Sequence, residues 1–248
     1  MWYYSVHMET NEKNNKYFLP LAVIVAGLFV GGAVIWSGSH PAGPAGSGAA
    51  PAPSVNIKDV NTAGNPFIGA ANAPVTIAFW SDYQCPYCKA FEVGGIPQIT
   101  TPAALPDIIK NYVDTGKVKI VFMDFVFLGN DSVTAALYGR SVWHLYPDQY
   151  FAWRTAMYNA QDQEGDQGFG NAASIDKLDA TISGLDPAKI IADVAANKST
   201  YQASIDADKA EAEKVGVNAT PSFVIGTQMI AGAYPYAAFQ TALDALLK

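Results

Sequence analysis

The feature that most constrains this chain is a pair of cysteines, Cys85 and Cys88, placed directly behind an apolar segment. They are the only two cysteines in 248 residues. The segment before them, Pro74-Val75-Thr76-Ile77-Ala78-Phe79-Trp80, is rich in β-branched and aromatic residues and reads as a buried strand. It runs through Ser81-Asp82-Tyr83-Gln84 into Cys85-Pro86-Tyr87-Cys88. Pro86 suits the first position of a helix, where a missing N–H costs no hydrogen bond. Strand, cysteine pair and helix in that order put Cys85 at a helix N-terminus. There the unpaired N–H groups and the positive end of the helix dipole favour a thiolate. Cys88, one turn along, is expected to be the less exposed of the two.

Three chemistries use such a pair. Zinc needs four ligands, but there is no second cysteine pair, and His7, His40 and His144 are scattered, so a zinc site would require a dimer. A purely structural disulfide would close a loop of four residues, which removes little unfolded-state entropy and so stabilises weakly. Redox exchange needs the order that the sequence has. It is the favoured reading, with one cysteine attacked and the other resolving the mixed disulfide, and no metal site is expected.

The rest of the domain follows from periodicity and breakers. Asp107 to Asp114 reads as a helix stopped at Thr115-Gly116, and Val118 to Phe127 as a second buried strand. Two such strands joined by a helical crossover imply a parallel βαβ unit. Residues 131–215 read as a helical block. In it Ile175, Leu178 and Ile182 share a face, Asp186-Pro187 starts one helix, and Tyr201 to Val215 forms another. Two short strands, Pro221–Gly226 and Gln228–Gly232, and a terminal helix over Tyr236–Leu247 complete the order.

The N-terminal part is of a different kind. Tyr17 to Trp36 is a run of twenty uncharged residues, which as a helix spans about 30 Å, the thickness of a bilayer core. Lys13 and Lys16 precede it and no Lys or Arg follows until Lys58, so residues 1–16 are expected in the cytoplasm and the remainder outside. A cleaved signal peptide would have a shorter apolar stretch, and the nearest A-x-A, Ala50-Pro51-Ala52, lies well past it. Residues 37–54, rich in Gly, Pro, Ala and Ser, read as a tether, with one folded domain over 55–248. The net charge of −7 excludes binding to nucleic acid or anionic lipid through a basic surface.

At this point the chain resembles a family. Val75–Trp80 leading into Asp82-Tyr83-Gln84-Cys85-Pro86-Tyr87-Cys88, Asp114-Thr115-Gly116-Lys117-Val118, and Val215-Gly216-Val217-Asn218-Ala219-Thr220-Pro221-Ser222-Phe223 are similar to the DsbA-like thiol–disulfide oxidoreductases of the thioredoxin superfamily. The resemblance covers about residues 66–248. It implies an α/β thioredoxin-like fold with a helical insertion at about 131–215, Cys85 as nucleophile and Cys88 as resolving cysteine. Pro86 and Tyr87 would support the active site, and a cis Thr220-Pro221 loop beside the disulfide would bind substrate. It also implies no cofactor beyond the redox-active pair. Many members carry a buried Glu where this chain has Phe79, which leaves the proton of the resolving cysteine to water or another group. Asp82 is one candidate, although a solvated charge near a helix start is the favoured reading of it.

Other features carry less. Asp162, Glu164 and Asp166 hint at a calcium loop, but Gln167 and Ala173 stand where an EF-hand needs Gly and Glu. Trp143, Tyr146, Tyr150, Phe151, Trp153 and Tyr158 read as core at helical spacing, and His144 as packed or superficial.

The expectation is an extracytoplasmic, monomeric enzyme anchored through residues 17–36. It would introduce disulfides into cysteine-containing exported polypeptides and be recycled by a membrane thiol oxidase or reductase. The alternatives are an isomerase or reductase kept reduced by a membrane partner, and a tethered peptide-binding or holdase module with an incidental disulfide. The topology has a direct check: protease added outside intact cells or spheroplasts should cut the tether and release a soluble domain starting near Val55. Protection until lysis would reverse the orientation.

Overall fold

The structure is a computed structural model that describes residues 55–162 and 168–248. The tail 1–16, the apolar run 17–36, the tether 37–54, and Glu164 and Asp166 lie outside the described residues. Among those described, no helix is long and apolar enough to cross a membrane.

Five strands form one sheet in the order β1-β3-β2-β4-β5. The central strand β2, Val75–Ser81, pairs in parallel with β3, Val118–Asp124, in a register that runs from Val75 opposite Val118 to Ser81 opposite Asp124. On its other side β2 meets β4, Ser222–Ile225, antiparallel, and β5, Gln228–Ala231, adds the edge. The opposite edge is β1, Phe67–Ile68, two residues antiparallel to β3. β1 has no signature in the sequence, because a pair of residues has no periodicity to detect. The second strand also stops at Asp124, not Phe127, since Phe125 already turns to bond Ser81 O.

Side chains of β2 alternate between two cores, as a strand buried on both faces requires. Val75, Ile77 and Phe79 pack with Ile120, Phe122 and Phe223 under α1 (Pro86–Glu92), α2 (Leu105–Ile108, continued by a π-turn over Ile109–Val113) and the terminal helix. Ala78 and Trp80 face Val121, Met123, Val224, Ala212 and Val215. The helical insertion consists of α3 (Asn130–Leu145), α4 (Tyr150–Ala160), α5 (Ala172–Asp179) and α6 (Pro187–Lys214). The chain ends with α7, Tyr236–Leu246.

Two expectations need correction. The stretch read as two helices after Asp186 is the single helix α6, because nothing between Pro187 and Lys214 breaks it. Asp186 does cap its start, accepting from Ala188 and Lys189 N–H. The helix expected over 107–114 begins earlier, at Leu105, and widens into the π-turn, so that Asp114 N bonds Ile109 O.

Arg140 of α3 ties the insertion to the sheet. Its Nε donates to Asp124 Oδ2 at 2.8 Å, its Nη1 to Asn65 Oδ1 at 2.6 Å and its Nη2 to Asp208 of α6. Asp208 in turn accepts from Asp124 N, and its carbonyl accepts from Trp80 Nε1. Arg140 is 6% exposed, so removing it leaves two carboxylates without their cation. Arg140→Met is expected to lower unfolding stability by about 3–5 kcal/mol, read as a lower urea midpoint at unchanged m-value. A loss under about 1 kcal/mol, the range of an exposed pair, would contradict this reading of the network.

Candidate active site

The turn after β2 is built around Asp82. Cys85 N bonds Asp82 O at 3.1 Å, and Asp82 Oδ1 accepts Gln84 N at 2.9 Å. Asp82 Oδ2 accepts Phe127 N at 3.0 Å and Leu128 N at 3.3 Å, joining the turn to the loop after β3. Asp82 is fully buried, which corrects the reading of it as a solvated charge. Burial raises its pKa, while the Ser132 hydroxyl and the N–H groups of Gln84, Phe127 and Leu128 oppose the rise. The carboxylate fastens backbone that otherwise has no ladder to join.

Helix α1 starts at Pro86, with Cys85 as its N-cap in extended geometry, φ −78° and ψ 119°. Both cysteines are free thiols. Cys85 Sγ donates to Thr220 O at 3.4 Å. The Cys88 thiol, by hydrogen bonding, does most to lower the Cys85 pKa, to about 7; burial opposes this, and the Thr220 hydroxyl and the N–H groups of Cys88 and Tyr87 assist. The Thr220 hydroxyl is buried beside both sulfurs and favours the anion of Cys88 as well as that of Cys85. Burial pushes Cys88 well above the usual thiol range, and the charge on Cys85 adds to that. The asymmetry agrees with the sequence reading, but its form differs. Cys85 is 4% exposed and Cys88 0%, so even the reactive thiol sits below the surface, while Tyr87 beside it is 56% exposed. The Thr220–Pro221 peptide is cis, and Pro221 O is held by Gly232 N at 2.7 Å. The structure therefore brings Cys85, Cys88, Pro86, Tyr87, Thr220 and Pro221 to one place.

Phe79 lies in an aromatic stack, 4.5 Å from Phe223, 5.2 Å from Phe91 and 5.9 Å from Phe122 between ring centroids. The buried charge in this neighbourhood comes from elsewhere. Glu92, one turn beyond Cys88 on α1, forms an ion pair with Arg154 of α4, and both side chains are 1% exposed. Arg154 Nε lies 3.1 and 3.0 Å from the two Glu92 oxygens, and its Nη2 donates to Ser81 Oγ at 2.7 Å. Its guanidinium faces the rings of Phe122, Tyr83, Phe79 and Tyr158 at 4.3, 5.1, 5.3 and 5.3 Å. Burial works against the cation, but Glu92 and the neighbouring tyrosines outweigh it and hold Arg154 charged.

Glu92, Arg154 and Tyr158 were not singled out as site residues by sequence reading. One signal was available: the chain has thirteen Lys and only two Arg, Arg140 and Arg154, both inside an aromatic helical block. A residue so sparingly used, set among apolar neighbours, points to a buried fork and not to surface charge. Of the aromatic stretch, Tyr150, Trp153 and Tyr158 are core, as expected. His144 is exposed and meets Asp193 and Tyr201, each at 3.1 Å. Asp162 accepts Phe169 N, closing a turn.

Comparison with known proteins agrees with this geometry. The family model described as thioredoxin matches residues 61–245. Disulfide bond formation protein D of Bacillus subtilis (strain 168) is 25% identical over 185 residues, covering 75% of this chain and 78% of that protein. The crystal structure of oxidised BdbD from Bacillus subtilis superimposes with a TM-score of 0.66 at 25% identity, over 79% of this chain and 98% of that one. The thiol-disulfide exchange protein alpha-DsbA2 from Wolbachia pipientis gives 0.60 at 25% identity, over 73% and 87%.

The thiol asymmetry is measurable. In the reduced full-length protein, alkylation at pH 6 should modify Cys85 much faster than Cys88, with a Cys85 rate profile centred near pH 7. Equal rates, or faster labelling of Cys88, would overturn the assignment of roles.

Proposed function

This chain belongs to the thioredoxin family, and on that footing we propose that it is a DsbA-like thiol–disulfide oxidoreductase that introduces disulfides into exported polypeptides through Cys85 and Cys88. One observation carries the reading: two thiols one helical turn apart have pKa values pushed in opposite directions, Cys85 down and Cys88 up. A structural disulfide has no need of that difference. An exchange enzyme does, since the outer sulfur must be a good leaving group and the inner one must keep its proton.

The chemistry follows from the geometry. With the pair oxidised, a substrate thiolate attacks Cys85 Sγ and the Cys85–Cys88 bond breaks. The electron pair leaves on Cys88, which takes up a proton because burial disfavours its anion. A second substrate thiolate then attacks the substrate sulfur of the mixed disulfide. Cys85 departs as the thiolate that the helix end and the Thr220 hydroxyl stabilise. The substrate dithiol has lost two electrons and the pair has gained them. A membrane thiol oxidase is proposed to take them on and restore the disulfide. Thr220 and Pro221, beside Cys85, are the proposed substrate contact, with Pro86 and Tyr87 shaping the rim. No cofactor beyond the cysteine pair enters these steps.

The catalytic domain is placed outside the cytoplasm as a monomer, tethered by residues 37–54 to a single-pass anchor at 17–36. The support for this is the length of the uncharged run and the basic residues that precede it.

Direction is the point to test. Thiol trapping in cells should find Cys85–Cys88 mostly oxidised, and Cys85→Ser should abolish oxidation of a reduced substrate protein. Equilibration with glutathione should give a potential on the order of −130 to −230 mV, oxidising enough to form structural disulfides that lie below about −300 mV. A pair found mostly reduced, with a potential at or below about −270 mV, would favour a reductase or isomerase. Retained biological action in Cys85→Ser would favour a binding module.

A further inference from the structure

The insertion touches the redox turn through one face of α4. Arg154, Tyr158 and Gln161 follow one another at spacings of four and three, so they line a single side of the helix and its C-cap. Arg154 donates to Ser81 Oγ at 2.7 Å and Tyr158 OH to Asp82 O at 3.2 Å. Gln161 Nε2 donates to Tyr83 O at 2.7 Å and to Cys85 O at 3.1 Å. One helix face thus holds the chain from the end of β2 to the cysteine.

Gln161 is the member of this row that reaches Cys85 itself. It is 5% exposed, and both of its amide hydrogens go to carbonyls of the turn. The contact is returned from the other side: Lys89, one turn into α1, donates from Nζ to Gln161 O at 2.9 Å. Cys85 O also accepts Cys88 N at 3.1 Å and Lys89 N at 3.2 Å. Three donors therefore fix this one carbonyl, and two of them belong to the first turn of α1.

The direction of the Cys85 carbonyl fixes ψ at the N-cap, and ψ sets where the following N–H groups lie relative to the Cys85 side chain. The N–H groups of Cys88 and Tyr87 assist the Cys88 and Thr220 side chains in favouring the thiolate, and the extended ψ of the N-cap keeps them on its side. We propose that Gln161 is a positioning residue for Cys85, through which the helical insertion holds the nucleophile against the start of α1. This rests on the redox reading of the pair and adds to it a residue of the helical insertion that tunes the reactivity of Cys85.

The test uses full-length protein in detergent, reduced, with Gln161→Met, which keeps the length of the side chain and removes the donors, and Gln161→Ala as a second variant. The rate of Cys85 alkylation is followed against pH. Gln161 bonds the carbonyl in both protonation states. Losing its hydrogen bond should therefore move the midpoint up by no more than about one pH unit, the limit at which the whole bond energy favours the thiolate. At that limit the thiolate fraction at pH 6 falls about tenfold. The greater nucleophilicity of the more basic thiolate offsets part of this, so alkylation at pH 6 slows about threefold. If either variant folds and its profile superimposes on that of the unaltered protein, Gln161 serves packing alone and the proposal fails, even where melting temperature drops. Failure of the unaltered protein to form the Cys85–Cys88 disulfide in oxidised glutathione would instead overturn the redox reading. That outcome is separate, because the alkylation comparison needs only thiol reactivity.

Discussion

The Arg154 guanidinium is the interaction on which the site depends. A cation this deep costs several kcal/mol unless its charge and its N–H groups are met. Glu92 meets the charge through both oxygens, Ser81 takes a further N–H, and four aromatic rings cover the planar faces. A lysine would supply neither the fork nor the flat surface for stacking. The contacts of Arg154 also join the end of β2 and the helix α1, which follow one another in the chain, to the insertion helix α4, which is remote from both in sequence. Helix α1 is only seven residues long, too short to be stable alone. Its hold on the domain comes from Glu92 at its end and from Phe91, whose ring lies 4.5 Å from Phe223. The helix that carries both cysteines is thus kept in place by a residue of the insertion.

The electrostatics of the cysteines follow from that arrangement. Cys88 is fully buried in the cluster that holds the aromatic stack, and the hydrogen bonds from Asp82 and Thr220 that favour its anion are outweighed. Burial then dominates, and Cys88 stays a thiol. Cys85, at the N-cap, has the Cys88 thiol, the Thr220 hydroxyl and two backbone N–H groups to set against its own burial, and ionises. No carboxylate at position 79 is needed for this asymmetry. The ring of Phe79 completes the stack, and the buried carboxylate of the region sits instead at Glu92, already committed to Arg154.

What could be read from the sequence was local. The strand before Cys85, Pro86 at the helix start, Asp186 as a cap and the apolar run of the second strand each act within a few residues, and each is found in the structure. The parallel pairing of the two strands was inferable because a helical crossover permits little else. The contents of the site beyond the cysteines were less accessible, since they depend on contacts across long separations. Arg154 lies 62 positions from Glu92 and Gln161 lies 76 from Cys85. Asp82 shows the same limit from the other side. Beside a helix start it looks like a solvated charge, and only the loop after β3, folded over it, turns it into a buried acceptor for three N–H groups.

The two arginines give this architecture a common logic. Ser81 and Asp124 are register partners at the last position of the parallel pair, where both strands leave the sheet toward the site. Arg154 is bound to Ser81 and Arg140 to Asp124. The insertion is therefore fastened at the point where the ladder ends and where the strand ends would otherwise have the most freedom. Two buried forks at one register position fix those ends against each other, and Cys85 lies four residues after Ser81. Between the anchored end of β2 and Cys85 the chain is held at Asp82 O by Tyr158 and at Tyr83 O by Gln161. An insertion attached in this way forms part of the wall of the active site. A change in its packing would reach the nucleophile through four consecutive residues of backbone.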